Sequence, residues 1–242
     1  MKLLLIDIET APNVAFTWGL WDQNIGIDML AEPGYTLCWA AKWHGERSVQ
    51  FDSILSGHKR MLRGIHDLMD EADAICHYNG LKFDVPTLNA EFLKHDIKPP
   101  APSKHIDLLI TAKRKFRLAS NKLEFVARHL GIPGKVKHKG FELWRECMRK
   151  DKGAFKEMET YNRQDVVLLE QVYDRLLPWI SQHPNHSEDV KCCPRCGSEQ
   201  FQARGYARTA ASRYPRFQCN ECGGWFRGKR SVSTHLMREV AA

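Results

Sequence analysis

The sequence predicts an α/β fold, a mixed β-sheet flanked by helices, with a small C-terminal metal-binding module. Three observations carry the prediction. Short apolar runs alternate with segments of helical periodicity over residues 1–180, a long amphipathic segment closes that stretch, and five of the eight cysteines crowd between Cys192 and Cys222.

Leu3-Leu4-Leu5-Ile6 opens the chain as a strand that continues into Asp7-Ile8-Glu9. Strand side chains alternate, so Asp7 and Glu9 leave one face of an otherwise apolar run. Ala11 to Gly34 reads as a long loop containing Trp18 and Trp21. Tyr35 to Trp43, the turn His44-Gly45-Glu46-Arg47 and a return strand Ser48 to Phe51 complete a three-stranded meander. Lys59 to Glu71 sets Leu62, Ile65, Leu68 and Met69 at helical spacing, and Ala74 to Tyr78 is a short buried strand that ends at the turn Asn79-Gly80.

A helix is expected over Asp84 to Lys94, with Pro86 in its first turn. Pro99 to Pro102 is an extended connector, Ile106 to Ile110 a further strand, and Lys122 to Leu130 a helix stopped by Gly131. From Ala154 to Ile180, Met158, Tyr161, Leu168, Leu169, Val172, Leu176 and Ile180 form one apolar stripe, and Asp165 falls inside it. Residues 181–190 read as a polar linker between a domain of residues 1–180 and a module of residues 191–242.

The chain has 242 residues and a hydrophobic content of 43%, ordinary for a globular protein. No apolar run has membrane-spanning length, and Leu3–Ile6 is too short for a signal-peptide core, so a cytoplasmic location and no membrane partner are expected. Cys38, Cys76 and Cys147 read as ordinary buried thiols. The net charge is +7, and residues 191–242 hold ten Lys/Arg against three Asp/Glu, leaving 26 against 26 for residues 1–190. Attraction to a polyanion therefore belongs to the tail.

Two acids at a strand end are, alone, most simply solvated loop residues. Asp84 alone is most simply an N-cap, and Tyr161 a core aromatic beside an Asp165 paired with a basic residue. Together they suggest more. A spacing of four puts Tyr161 and Asp165 on the apolar helix face, where a carboxylate needs a cation. Four carboxylates meeting at one end of a sheet would hold two hard cations about 3.5–4 Å apart, an arrangement suited to phosphoryl transfer.

These residues resemble the DEDD superfamily of 3′–5′ exonucleases, which have a ribonuclease-H-like fold. Asp7-Ile8-Glu9 matches the first motif, Asn79 with Phe83-Asp84 the second, and Tyr161 to Asp165 the third motif of the tyrosine (DEDDy) subgroup. Leu123 to Lys135 is similar to the segment before that motif in family B polymerase proofreading domains. The resemblance spans about residues 1–180. It implies that Asp7, Glu9, Asp84 and Asp165 bind two Mg²⁺ or Mn²⁺ ions, that Tyr161 orients the attacking water, and that Asn79 and Phe83 line the groove for the terminal nucleotides. Trp18 and Trp21 either stack on bases or form a hydrophobic lid.

Cys193-Pro194-Arg195-Cys196-Gly197 and Cys219-Asn220-Glu221-Cys222-Gly223 are two CxxC knuckles, each followed by a glycine, with spacing that fits one tetrahedral Zn²⁺. Cys192 competes with Cys193 as first ligand. The tail resembles a zinc ribbon. Arg204, Arg208, Arg213, Arg216, Arg227, Lys229 and Arg230 interleave with Phe201, Tyr206, Tyr214, Phe217, Trp225 and Phe226, a combination suited to single-stranded nucleic acid. Several of these rings are equally suited to form the ribbon's own core, and zinc ribbons also bind proteins.

The expectation is a metal-dependent 3′–5′ exonuclease acting on 3′ ends of DNA, with the ribbon assisting nucleic-acid binding. With no polymerase segment following, proofreading would act in trans, which suggests a replication or repair protein as partner. An RNA 3′-end exonuclease and a non-catalytic nucleic-acid-binding or recruitment protein are the alternatives.

Overall fold

A computed structural model describes residues 1–134, 139–186 and 191–234. Lys135 and residues 187–190 of the expected linker lie outside the described residues. Two compact units divide the chain, Lys2–Tyr173 and a second that runs from Asp174 to Ala242.

In the first unit, β1 (Leu3–Thr10) is followed by a two-stranded ribbon of β2 (Val14–Ala15) and β3 (Leu30–Glu32) within the segment expected as loop. Next come β4 (Thr36–Trp43), β5 (Gln50–Ser53), α1 (His58–Glu71), β6 (Ala74–His77), α2 (Asp84–Lys94) and β7 (Lys104–Asp107). The unit closes with α3 (Leu108–Lys115), α4 (Leu123–His129), α5 (Phe141–Met148) and α6 (Lys152–Leu176). The sheet order is β5-β4-β1-β6-β7. β4 pairs antiparallel with β1 and β5, while β6 is parallel to β1 and β7, so the sheet is mixed.

β1 lies centrally, and its two faces do different work. Leu4, Ile6 and Ile8 join a core with Met61, Leu62 and Ile65 of α1 and Leu88 and Phe92 of α2. On the other face the cross-strand neighbours of Leu5, Asp7 and Glu9 are Lys42, Ala40 and Cys38. That face is linked to α6. Buried Lys42 pairs with Glu170 at 2.9 Å, and the Gly45 N–H donates to the same carboxylate. Removing one partner of such a pair would leave an uncompensated charge in the interior.

At two boundaries the departure from the sequence expectation has a local cause. The strand expected at Ile106–Ile110 ends at Asp107, because the Asp107 carboxylate accepts the Leu109 and Ile110 N–H groups and starts α3 in mid-run. The closing helix ends at Leu176, where Pro178 lies in a short 3-10 turn, Leu177–Trp179. The helix α5 was not anticipated.

In the second unit β8 (Phe201–Arg208), β9 (Ser212–Cys219), β10 (Trp225–Arg227) and β11 (Ser233–Thr234) make an antiparallel sheet in which β8, β10 and β11 all pair with β9. Its apolar centre is small. Phe201, Phe217 and Phe226 contact one another with centroids 5.3–5.6 Å apart. Among the described residues no helix is long and apolar enough to cross a membrane.

Candidate active site

The pleat of β1 carries Asp7 and Glu9 on the face that meets α6, and the inward stripe of α6 brings Asp165 to them. Carboxylate oxygens of Asp7, Glu9 and Asp165 all lie within 4.8 Å of one another. At that separation and an effective dielectric near 20, each pair of full charges repels by about 3 kcal/mol. Asp165 is itself buried, so solvent relieves little of this. Hard oxygen donors gathered in this way fit a divalent cation such as Mg²⁺ or Mn²⁺.

Asp84 reaches the same strand by a different contact. It is the first residue of α2 but does not cap it, since Phe83 occupies the N-cap position. Instead its Oδ1 accepts the N–H of Ile8, between the two β1 acids, at 3.2 Å. Its oxygens are not among the three gathered within 4.8 Å. Burial raises the Asp84 carboxyl to about 6, against the opposing effect of the Ile8 N–H.

The turn that delivers Asp84 is locked by a histidine network. Buried His77 accepts the Gly80 N–H at Nδ1 (3.1 Å), which places its proton on Nε2, 3.2 Å from Nδ1 of His105. Burial lowers the His77 pKa to about 4, so the ring is neutral and its 3.6 Å approach to Asp107 is no ion pair at neutral pH. Asp107 accepts the Asn79 N–H at 3.0 Å. Asn79 has φ +70°, and a Cβ on Gly80 would lie 2.4 Å from the His77 ring. Asn79 thus holds the bend, while Phe83 stands 43% exposed beside it.

Tyr161 is buried, hydrogen-bonds Asp165 and packs edge-on against Trp144. Burial first, and then the charges of Asp165, Glu9 and Asp7, push its phenol well above the ordinary tyrosine range. It stays protonated and acts as a donor.

Two residues not singled out from sequence hold the acids. Fully buried Asn162 donates through Nδ2 to Asp7 Oδ2 at 2.6 Å and to the Asp7 carbonyl at 3.3 Å. Trp144 Nε1 donates to Glu9 Oε2 at 3.1 Å. Asn162 was findable, since it lies four residues after Met158 on the α6 stripe. Trp144 sits on the unanticipated α5 and left no such signal. Beside it a cavity of about 360 Å³ opens between Thr10, Pro12, Gly140 and Phe141. Trp18 and Trp21 are 99% and 82% exposed and cover nothing.

The cysteine cluster is built locally. Gly197 and Gly223 have φ +75° and +72° directly after each CxxC pair, and the Gly197 N–H returns to the Cys193 carbonyl at 2.9 Å. Sulfurs of Cys193, Cys196, Cys219 and Cys222 lie within 4.8 Å of one another, with Cys193–Cys222 at 3.7 Å and Cys196–Cys219 at 3.6 Å. Four thiolates about 2.3 Å from one tetrahedral zinc would stand about 3.8 Å apart. Cys192 is not one of the four; it lines a neighbouring cavity with Lys191 and Phe201.

Three basic residues of the second unit lie over rings. Arg213 lies over Tyr206 at 4.5 Å, Arg216 over Trp225 at 5.0 Å and Arg227 over Tyr214 at 3.8 Å. Arg204, Arg208, Lys229 and Arg230 are exposed. The three core phenylalanines are therefore structural, and Tyr206, Tyr214 and Trp225 make the cation-bearing surface.

The profile of the RNase_H superfamily matches residues 35–177, more than half of the chain. The match takes in Asp84, Tyr161 and Asp165 and begins after Asp7 and Glu9. Among solved structures, the family B DNA polymerase from the hyperthermophilic archaeon Pyrobaculum calidifontis is similar, with a TM-score of 0.54 at 19% identity. The likeness covers 73% of this chain and 24% of the polymerase chain, and at that identity it concerns the fold. No curated protein matches the sequence.

Proposed function

Because the chain belongs to the RNase_H superfamily, we propose that it is a metal-dependent nuclease, and more narrowly a DEDDy-type 3′–5′ exonuclease that hydrolyses phosphodiester bonds at the 3′ ends of DNA. Membership supports nuclease activity in general. The narrower reading rests on one observation, the meeting of Asp7, Glu9 and Asp165 oxygens within 4.8 Å, with Tyr161 bonded to Asp165.

Asp7, Glu9 and Asp165, with Asp84 beside them, would hold two Mg²⁺ or Mn²⁺ ions. When bound, these supply an activated water nucleophile and charge stabilisation at the leaving oxygen. The chain's own groups position everything else. Asn162 and Trp144 fix the rotamers of Asp7 and Glu9, so the donors are set before substrate arrives. Tyr161, protonated, offers its O–H to orient the water and cannot serve as its base at neutral pH. The cavity beside Trp144 is of a size to admit one nucleotide, with the exposed rings of Phe83 and Phe141 available for stacking.

The second unit reads as a zinc ribbon with one structural Zn²⁺ on Cys193, Cys196, Cys219 and Cys222. Its Arg-over-ring surface suits a single-stranded nucleic acid, with guanidinium groups on phosphates and rings under bases. A replication or repair protein is the proposed partner in the cell.

Single- and double-stranded DNA and RNA, labelled at either end, test the reading with Mg²⁺ or Mn²⁺ present. Expected is stepwise shortening of 5′-labelled single-stranded DNA with release of nucleoside 5′-monophosphate, reduced by at least ~10³-fold in Asp165→Asn. Shortening at the wild-type rate by both Asp165→Asn and Asp84→Asn would overturn the proposal. Preferential shortening of RNA would move it to an RNA 3′-end exonuclease, and tight binding without cleavage to a recruitment protein.

A further inference from the structure

At the far end of α2 from Asp84, about 10 Å along the helix axis, three side chains turn their ligand atoms toward one another. His58 is the first residue of α1, Glu91 lies in the last turn of α2, and His95 is the residue that ends it. One ligand atom from each lies within 4.8 Å of the other two. Glu91 Oε2 is 2.7 Å from His58 Nε2 and 3.8 Å from His95 Nε2.

All three atoms are buried, and none makes a hydrogen bond. Glu91 is only 5% exposed, so its carboxylate is shielded from water and aimed into the gap between the imidazoles. A simple His58–Glu91 ion pair accounts for the short distance. It does not account for an N–H that fails to point at the oxygen, nor for a second imidazole presenting the same nitrogen to the same carboxylate. A buried carboxylate oxygen left in this state costs about 1–3 kcal/mol or more. A cation held between the three atoms removes that cost for all of them at once.

The geometry points to a transition-metal site of the zinc class, formed by His58, Glu91 and His95 and distinct from both the carboxylate cluster and the cysteines. Two imidazoles with one carboxylate are donors for Zn²⁺ rather than for Mg²⁺ or Ca²⁺, which take all-oxygen sets. Ligand atoms at zinc bond lengths in a tetrahedron stand about 3.3 Å apart, and the observed 2.7 and 3.8 Å bracket that value. The His58 and His95 side chains, 27% and 23% exposed, leave a solvent-facing side for water as fourth ligand. An ion there would bridge two helices. It would pin the start of α1 to the end of α2, the helix whose first residue holds the Ile8 amide.

Full-length protein, gel-filtered after exposure to Zn²⁺ with excess Mg²⁺ present to fill the carboxylates, should retain two zinc ions per chain by elemental analysis. His58→Gln/His95→Gln should retain one, and zinc should raise the melting temperature of the wild type more than that of the variant. With Co²⁺ in place of zinc, the variant should keep the thiolate-to-metal charge-transfer band of the cysteines and lose the weaker visible bands of the histidine site. Identical metal content in wild type and folded variant would overturn the inference. If the variant fails to fold, zinc-edge anomalous scattering from wild-type crystals decides. A peak between His58 and His95 supports the site, and none at saturating zinc refutes it.

Discussion

The carboxylate cluster and the cysteine cluster gather metal-type ligands by opposite means. The carboxylates come from β1 and α6, with Asp84 of α2 at the same strand, and are brought together by a core that buries β1 on both faces. The cysteines come from two i,i+3 knuckles on the turns of a sheet whose apolar centre is three phenylalanines. One cluster is assembled by the fold. In the other, an ion held by the four sulfurs would make the fold, because a centre that small buries too little to offset chain entropy.

The largest expected effect tests that contrast directly. Removing zinc with a strong chelator should unfold the second unit, forfeiting about 10–16 kcal/mol of apparent binding energy, while the first keeps its sheet. Limited proteolysis and circular dichroism of the chelated protein check it; a ribbon that stays protected without metal would break the comparison.

Next in size is Glu170→Ala, which strands the buried Lys42 ammonium and should cost the first unit about 3–5 kcal/mol, with zinc content unchanged. Urea unfolding measures the loss. A value below 1 kcal/mol would mean that α6 is held to the sheet by its apolar stripe alone.

The pH dependence of the metal-free first unit gives a comparable effect. Asp84 has a folded pKa of about 6, above its ordinary 3.8, so folding favours its protonated form. The resulting stability is full below pH about 4 and lost as pH rises through about 6, up to roughly 3 kcal/mol. His77 works in the opposite direction. Its folded pKa of about 4 lies below the ordinary 6.5, so its contribution is full above 6.5 and lost as pH falls through about 4. The two slopes offset each other, and Asp84→Asn separates them: the chelated variant should exceed wild type in stability at pH 7.5 and match it at pH 4. A constant difference across that range would contradict the assignment.

The smallest effect concerns the supports. Trp144→Phe removes the donor to Glu9 while keeping an aromatic ring against Tyr161, and should lower kcat about 10-fold, near 1.4 kcal/mol, with stability within about 1 kcal/mol of wild type. An unchanged kcat would show that the cation, not Trp144, sets the Glu9 rotamer.

Much of this was legible in the residues. Alternation put Asp7 and Glu9 on one face, a spacing of four put Tyr161 and Asp165 on another, and Gly197 and Gly223 marked the knuckles, because each rule relates neighbours a few residues apart. Where two local rules competed, the sequence did not choose. At Asp107 the apolar run pointed to more strand, and in the structure its carboxylate caps a helix instead. At Asp84 the capping reading was the natural one, yet the carboxylate was drawn to Ile8, 76 residues away.

By itself, then, the sequence determined most strands and helices of residues 1–180, the acidic and tyrosine positions and the cysteine knuckles, all of which follow from periodicity and short-range spacing. Tertiary structure alone decided that Asn162 and Trp144 hold the acids, that Cys193 rather than Cys192 joins the sulfurs, and that His58 meets Glu91 and His95. Those are contacts between side chains from different elements or turns, and their distances are set by how helices and strands pack, which no local rule contains.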